Sequence, residues 1–273
     1  MFMRYILICL SLFLICSCTI RRKLYTSTYV NNPSLQHKND YAFSASISQP
    51  AGFDFSGGYA VTNRLAILAG AHTYRNAEDQ TDDDFLSPTT TEVSLLYRHK
   101  GYHGGLGVYF PISKKNSNGY ASFFTGYIKD DFRMDEDGIE TDNNNGTTVT
   151  RDLFYKSDIG RYFVSGGIHA YVGQFDLSFL GRYNYVEYSN IVTNYSTTEQ
   201  QLFNFPTLGY SKNSQFLDFA FDMKYYFTEK PRIGLQFFGL LTARLNQKEF
   251  NFPFFNNRIG VGVVIRNPFQ KSE

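Results

Sequence analysis

Tryptophan is absent from this sequence, cysteine is confined to one end, and neither sign of charge prevails. The three cysteines are Cys9, Cys16 and Cys18, so no disulfide can staple the remainder of the 273-residue chain. Lysine and arginine number 26 against 25 aspartates and glutamates. This balance excludes the basic surplus of nucleic-acid-binding domains and the acidic surplus of a solvating tail, so nucleic acid is not expected as a partner.

Aromatic residues are plentiful by contrast, with 27 Phe and 21 Tyr making up 18% of the chain. The mean hydropathy is nevertheless negative, at −0.31. A soluble domain with so many aromatic residues needs aliphatic companions in its core, which a polar composition does not supply. A β-barrel in lipid resolves the conflict, because its outward residues are apolar and its inward residues are polar.

The first residues indicate export. Arg4 precedes the apolar stretch Tyr5 to Cys16, which is too short to cross a bilayer as a helix, so residues 1–17 are interpreted as a signal peptide. The sequence Ile-Cys-Ser-Cys at residues 15–18 resembles a bacterial lipobox and makes Cys18 the candidate for lipidation. Cys16 fits this motif less well, and a signal peptide that merely contains cysteines is the alternative.

Residues 18–39 are polar, basic at their start and without periodicity, so they are predicted to form a lipidated linker. No acidic run follows Cys18, and this absence favours an anchor that faces the periplasm. The expected location is therefore the bacterial outer membrane, with the amino terminus on its periplasmic side.

From Asp40 onward, short segments alternate apolar and polar residues with a period of two, as strands with one lipid-facing side do. In one of them, Phe219 and Phe221 alternate with Asp218 and Asp222. The predicted strands are residues 41–48, 52–62, 64–75, 102–112, 119–131, 160–172, 174–188, 214–228, 232–246 and 257–267. Residues 40–269 are thus predicted to form an all-β, transmembrane, antiparallel up-and-down barrel of about ten strands, with residues 270–273 as a short tail.

An even number of strands agrees with bacterial barrels, which place short turns on the periplasmic side and long loops outside. Long connections are expected at residues 76–101, 132–159, 189–213 and 247–256. The segment Thr91 to His99 also reads as a strand. It is interpreted as an outward extension of the fourth strand or as a hairpin within a loop.

The segment from Gly104 to Tyr127, "GGLGVYFPISKKNSNGYASFFTGY", and that from Gly52 to Ala71 resemble a family of lipobox-bearing, uncharacterised outer-membrane β-barrel proteins of Bacteroidetes. The resemblance loosely covers Asp40 to Phe269. It implies a ten-stranded barrel with no established activity. The carboxyl end departs from the usual pattern of such barrels, because Phe269 is followed by four further residues.

Charged residues on the inward faces are expected to pair, since a ten-stranded barrel is little wider than one whose interior is filled by side chains. The predicted charge network of the lumen consists of Asp54, Asp176, Arg182, Asp218, Asp222, Lys224, Arg244, Arg258 and Arg266. It favours a filled lumen and a structural or interaction role. The alternatives are a narrow, slightly anion-favouring pore and a periplasmic, lipocalin-like barrel that binds an apolar ligand.

No GxSxG elbow, HExxH pair, P-loop or metal-spaced His/Cys set occurs, so no catalytic residue, metal or cofactor is predicted. His103 or His169 could act as a base only if an aspartate lay beside it. The acidic segments "EDQTDDD" and "DEDGIETD" are expected to be hydrated surface. Divalent ions bridging them to lipopolysaccharide phosphates are the alternative. The expected partners are outer-membrane lipid, lipopolysaccharide and the barrel assembly machinery.

Overall fold

The computed structural model describes residues 21–31, 33–82, 89–112, 118–206, 213–228, 232–245, 254 and 257–267. Ten antiparallel strands form a closed barrel in which each strand pairs with the next in sequence and the first pairs with the last. The strands are β1 (Tyr41–Gln49), β2 (Gly52–Ala60), β3 (Leu65–Asp82), β4 (Thr89–Pro111), β5 (Gly119–Asp142), β6 (Thr148–Val172), β7 (Phe175–Thr193), β8 (Asn213–Tyr226), β9 (Arg232–Arg244) and β10 (Asn257–Asn267). The prediction of a ten-stranded up-and-down barrel is confirmed.

The barrel closes where β1 pairs with β10, with Tyr41 opposite Asn267 and Gln49 opposite Ile259. Closure leaves no free sheet edge, so every strand has two neighbours. This arrangement satisfies the backbone hydrogen bonds without water, which a structure that crosses a lipid bilayer requires.

The alternation of side chains follows the predicted pattern. In β8, Phe219 is 54% exposed, whereas its neighbour Asp218 is fully buried. The apolar rows therefore face outward and the charged rows face the lumen. A lipocalin-like barrel needs the opposite arrangement, so that alternative is wrong.

Strands β3 to β7 are 18 to 25 residues long, whereas the other five have 9 to 14. The long strands extend beyond the apolar belt at one end of the barrel, here called the loop end. The opposite end, where β1 begins and β10 finishes, is called the turn end. Thr91 to His99 lie within β4 and pair with both β3 and β5, so they are an outward extension of the fourth strand.

Two of the long connections expected from the sequence are instead mostly strand. Cross-strand pairing continues along β3, β4, β5 and β6 through most of residues 76–101 and 132–159. The predicted loops were too long because charged residues interrupt the apolar alternation there, although the backbone pairing persists. A short helix α1 (Thr197–Leu202) lies in the connection after β7, and Ser196 and Glu199 form a capping box at its start. In the described part of the chain, no helix has the length and apolar character needed to cross a bilayer.

The segment before β1 corrects the sequence analysis most. Residues 21–31 and 33–36, predicted to be part of a linker, run through the barrel from exposed Arg21, and Leu24, Tyr25 and Leu35 are fully buried. These residues are called the plug. The wall surrounds the plug on all sides. The sequence of the plug therefore does not alternate between apolar and polar residues. The predicted signal peptide, the lipidation of Cys18 and the short tail fall outside the described residues and stay predictions.

Candidate functional site

The plug runs along the lumen from one end of the barrel to the other. The Arg21 backbone N–H donates to Oε1 of Gln80, near the loop end of β3, at 2.7 Å. At the turn end, Nη2 of Arg266 donates to Oε1 of Gln36 at 3.1 Å. The contact between the plug and the inner wall is therefore the candidate functional site.

An extended segment exposes its backbone carbonyls, and buried carbonyls need hydrogen-bond donors. Arginines of the wall provide several of them. Arg161 donates to Thr26 O at 3.2 Å, Arg182 to Thr28 O at 2.8 Å and Tyr29 O at 3.3 Å, and Arg258 to Ser27 O at 3.3 Å. The wall thus recognises the plug backbone and not only its side chains.

Asp218 is the centre of the middle layer. Its carboxylate accepts hydrogen bonds from Nε and Nη2 of Arg182 at 3.0 and 2.7 Å, and from Nδ2 of Asn184 at 2.7 Å. The hydroxyls of Ser27, in the plug, and Thr242 donate to its other oxygen at 2.9 and 2.7 Å. One buried carboxylate therefore joins β7, β8, β9 and the plug.

A second layer lies nearer the turn end, around Lys224. Its Nζ lies 3.0 Å from Oδ2 of Asp222 and 3.9 Å from Oδ2 of Asp176. The plug again takes part, because the Tyr29 hydroxyl donates to Asp222 at 2.8 Å and the Ser34 hydroxyl donates to Asp176. The four residues Arg182, Asp218, Asp222 and Lys224 thus form two ion pairs that the plug connects.

The remaining predicted network residues lie on other parts of the wall. Arg258 pairs with Asp54 and with the Tyr74 hydroxyl. Arg266 lies against the Tyr171 hydroxyl, and its Nη2 is 3.8 Å from Oδ2 of Asp40. Arg244 donates to Ser214 at 3.3 Å and stands over the Phe216 ring at 5.9 Å. All nine predicted residues are buried, but they form separate clusters instead of one network.

A salt bridge that the sequence analysis missed fastens the plug at the loop end. Nε and Nη2 of Arg22 donate to Oε2 and Oε1 of Glu136 at 2.6 and 2.8 Å. Tyr195 donates to the same carboxylate at 2.5 Å, and Arg151 donates at 3.1 Å. Burial raises the pKa of Glu136, but the hydrogen bonds and charge of Arg22, with Tyr195 and Arg151, outweigh it and hold this pKa below its ordinary value of 4.5. The Arg22–Glu136 pair is called the latch.

The latch is expected to weaken in acid. A carboxyl group whose folded-state pKa is lowered contributes stability above its unfolded-state pKa and loses it as the pH falls through the folded-state pKa. The contribution of Glu136 is therefore complete above pH 4.5 and declines below it. Replacing Glu136 with glutamine is expected to cost about 3 kcal/mol at neutral pH, because it leaves buried Arg22 without its counter-charge. Urea unfolding between pH 3 and 7 measures both effects, and an equal acid loss in wild type and variant would contradict the assignment.

A cluster of three possible metal ligands also lies in the lumen. His72, His99 and Asp130 place ligand atoms within 4.8 Å of one another, and all three are buried. Arg161 occupies the same cluster, because its Nε donates to Asp130 at 2.6 Å and its Nη2 lies 3.1 Å from Nε2 of His99. A guanidinium group at this distance already neutralises the carboxylate and repels a second cation. The geometry therefore fits a buried ion pair better than a metal site.

The two histidines considered as bases are buried in the barrel. Nδ1 of His169 lies 3.9 Å from Oδ1 of Asp176, and its Nε2 lies 3.4 Å from the Ser122 hydroxyl. Nε2 of His103 lies 3.4 Å from Nδ2 of Asn31, in the plug. The distance between His169 and Asp176 is therefore longer than a hydrogen bond, and Asp176 also lies 3.9 Å from Nζ of Lys224.

Little space remains between plug and wall. A cavity beside Tyr29, Ser34 and Lys224 has a volume of about 10 Å³, and so has one beside Asn31, His103 and Arg182. Each is about the smallest volume that holds a single water molecule. In these two places the lumen is filled by protein.

No protein-family model and no curated protein matches the chain. Among solved structures, it is similar to the outer membrane protease OmpT from Escherichia coli, with a TM-score of 0.51 and 9% sequence identity over 86% of this chain and 97% of that one. It also aligns with CarO from Acinetobacter baumannii, with a TM-score of 0.29 and 7% identity over 82% of this chain and 96% of the other. At 9% identity the likeness to OmpT shows the fold alone. The chain has the fold of an outer-membrane β-barrel.

Proposed function

We propose that this protein is an outer-membrane β-barrel that its own amino-terminal segment closes, and that it serves a structural or interaction role through its extended loop end. The observation that carries the proposal is the buried plug. It is held at the loop end by Glu136, in the middle by Asp218 and near the turn end by Asp176. A segment that is bound at three levels of the lumen would obstruct diffusion through a pore.

The outward surface supports a location in lipid. Exposed Phe, Leu, Ile and Val side chains cover the barrel. The outward tyrosines Tyr102, Tyr127 and Tyr162 lie at the edge of this apolar belt that is nearer the loop end. Tyrosine is enriched where a membrane meets water, because its ring is apolar and its hydroxyl is polar. The longer strands and loops then face outside, and the short turns face the periplasm.

Two measurements test this proposal with the wild-type protein. We expect the chain to fractionate with outer membranes and to migrate faster on a gel when it is not heated, as folded membrane barrels do. In planar bilayers the purified barrel is expected to give no discrete current steps, because the plug occupies the lumen. Steady single-channel currents from the wild type would favour the narrow pore instead.

Lipopolysaccharide is the partner that the outward charges favour. Four basic residues stand side by side beyond the tyrosines, because Arg75 pairs with Arg98, Arg98 with Arg133, and Arg133 with Lys156. Like charges directly opposite one another destabilise a sheet unless counter-charges lie near. Asp135 supplies one, as it binds both Arg98 and Arg133. Phosphate groups of the outer leaflet would compensate the others.

Replacing Arg75 and Lys156 together with glutamine is expected to weaken lipopolysaccharide binding about tenfold or more. Each cation near an anionic membrane surface contributes about 1 kcal/mol, and 1.4 kcal/mol corresponds to a factor of ten. Titration of the detergent-solubilised barrel with lipopolysaccharide at low salt measures the change. Lys38→Gln, which removes an exposed cation at the turn end, is the matched control. Equal losses in both variants would contradict a specific basic row.

A further inference from the structure

We infer that the chain enters its own barrel from the loop end, so that the mature amino terminus, with the lipid predicted on Cys18, is displayed on the outer face of the membrane. The inference rests on the proposed function for which end of the barrel faces outside. The direction of the plug comes from the structure itself. On this inference the protein is a surface lipoprotein whose chain passes through the lumen of its own barrel.

The contacts of the plug descend the wall in sequence order. Lys23 pairs with Glu78 in the loop-end extension of β3, at 2.6 Å. Ser27 then meets Asp218 in the middle of β8, and Tyr29 meets Asp222 four residues further towards the turn end. The last contacts are those of Ser34 with Asp176, the second residue of β7, and of Gln36 with Arg266, the penultimate residue of β10. The plug therefore runs in one direction without reversing.

The short stretch of chain between Cys18 and the plug carries the inference from Arg21 to the predicted lipid. Two residues, Thr19 and Ile20, separate Cys18 from Arg21, and the three steps from Cα to Cα span at most about 11 Å when fully extended. The plug itself needs residues 21–36 to pass from the loop end to the turn end. Three such steps cannot cover that distance in reverse, so the inference places the lipid predicted on Cys18 on the same side of the membrane as Arg21.

The inference differs from the side of the lipid anchor that the sequence predicts. The sequence predicts a periplasmic amino terminus together with outward-facing loops, whereas the inference places the amino terminus and the loops on the same side of the membrane. The difference arises because a linker of residues 18–39 would leave the amino terminus at the turn end, where β1 begins. A segment that crosses the lumen instead carries the residue before it to the opposite end.

Single-cysteine labelling on intact cells tests the inference. Three exposed positions are compared with a maleimide reagent that does not cross membranes: Arg21→Cys at the start of the plug, Asn144→Cys between β5 and β6 at the loop end, and Gln174→Cys between β6 and β7 at the turn end. Each substitution is made in the wild type and in a Cys18→Ala background. Comparing the two separates labelling of the introduced cysteine from labelling of an unlipidated Cys18. Metabolic labelling with an alkyne fatty acid, lost in Cys18→Ala, reports the lipid separately.

We expect Arg21→Cys and Asn144→Cys to be labelled in intact cells and Gln174→Cys to be labelled only after lysis. Labelling of Asn144→Cys but not of Arg21→Cys in intact cells would overturn the inference and leave the proposed function standing. Absence of labelling at Asn144→Cys in intact cells, with labelling after lysis, would overturn the proposed orientation instead. Trypsin added to intact wild-type cells gives a second readout, because cleavage after Arg21 requires that residue to be outside.

Discussion

Asp218→Ala is expected to lower the free energy of unfolding by about 3–5 kcal/mol, because breaking a buried ion pair leaves the other charge uncompensated. The loss should exceed that of other single changes in the lumen. Asp218 accepts hydrogen bonds from two wall residues besides Arg182 and from Ser27 of the plug, so alanine removes an acceptor shared by four donor residues. Urea unfolding of the folded barrel in detergent, followed by the shift of the unheated band on gels, measures the change.

Two further variants decide whether the charge causes this loss. Asp137→Ala removes an exposed carboxylate of β5 and is expected to change stability by less than about 0.5 kcal/mol. Arg182→Met combined with Asp218→Leu replaces both partners by apolar groups, which often restores much of the stability lost by breaking one side. If Asp218→Ala unfolds no more easily than Asp137→Ala, the pair does not organise the lumen.

The barrel could be predicted from the sequence because its signal is local. Each strand alternates an apolar residue for lipid with a polar one for the lumen, as Phe219 and Asp218 do, and a period of two is readable within a few residues. The same alternation placed the buried charges of the wall on the inner face. The wall and the identity of its inward charges therefore needed no information from distant parts of the chain.

The plug could not be predicted because its partners are distant in sequence. Tyr29 and Asp222 are 193 residues apart, and Ser27 and Asp218 are 191 apart. An extended segment that is surrounded on all sides shows no alternation, so Leu24 and Tyr25 looked like any other linker residues. The burial of such a segment follows only from the closed wall around it.

The other residues that could not be predicted depend on how the strands pair and on which side of the sheet each side chain faces. Glu136 lies in an acidic segment that reads as hydrated surface, yet its side chain faces inward and is fully buried. His72, His99 and Asp130 lie on three adjacent strands, and they meet only because of the pairing that sets His72 opposite Gly101 and His99 opposite Phe132. His99 lies in the extension of β4, where charged residues obscure the strand in the sequence, so this pairing could not be predicted.

Deleting residues 21–36 is expected to convert a closed barrel into an ion-conducting one. The plug supplies Leu24, Tyr25, Val30 and Leu35 to the interior, and all four are almost completely buried. Without them, water can enter between the rows of wall charges, and the deletion should give discrete current steps in planar bilayers where the wild type gives none. The freed wall arginines then favour anions slightly, which a reversal potential in a salt gradient measures.

The deletion also removes hydrogen-bond acceptors from Arg161, Arg182 and Arg258, so its folding must be checked by the band shift of the unheated protein. Arg22→Ala with Lys23→Ala keeps the rest of the plug and removes its ion pairs to Glu136 and Glu78 at the loop end. This milder variant is expected to conduct intermittently, as the plug leaves and re-enters the lumen. If the deletion variant folds and still gives no current steps, the wall alone closes the barrel and the plug does not control conduction.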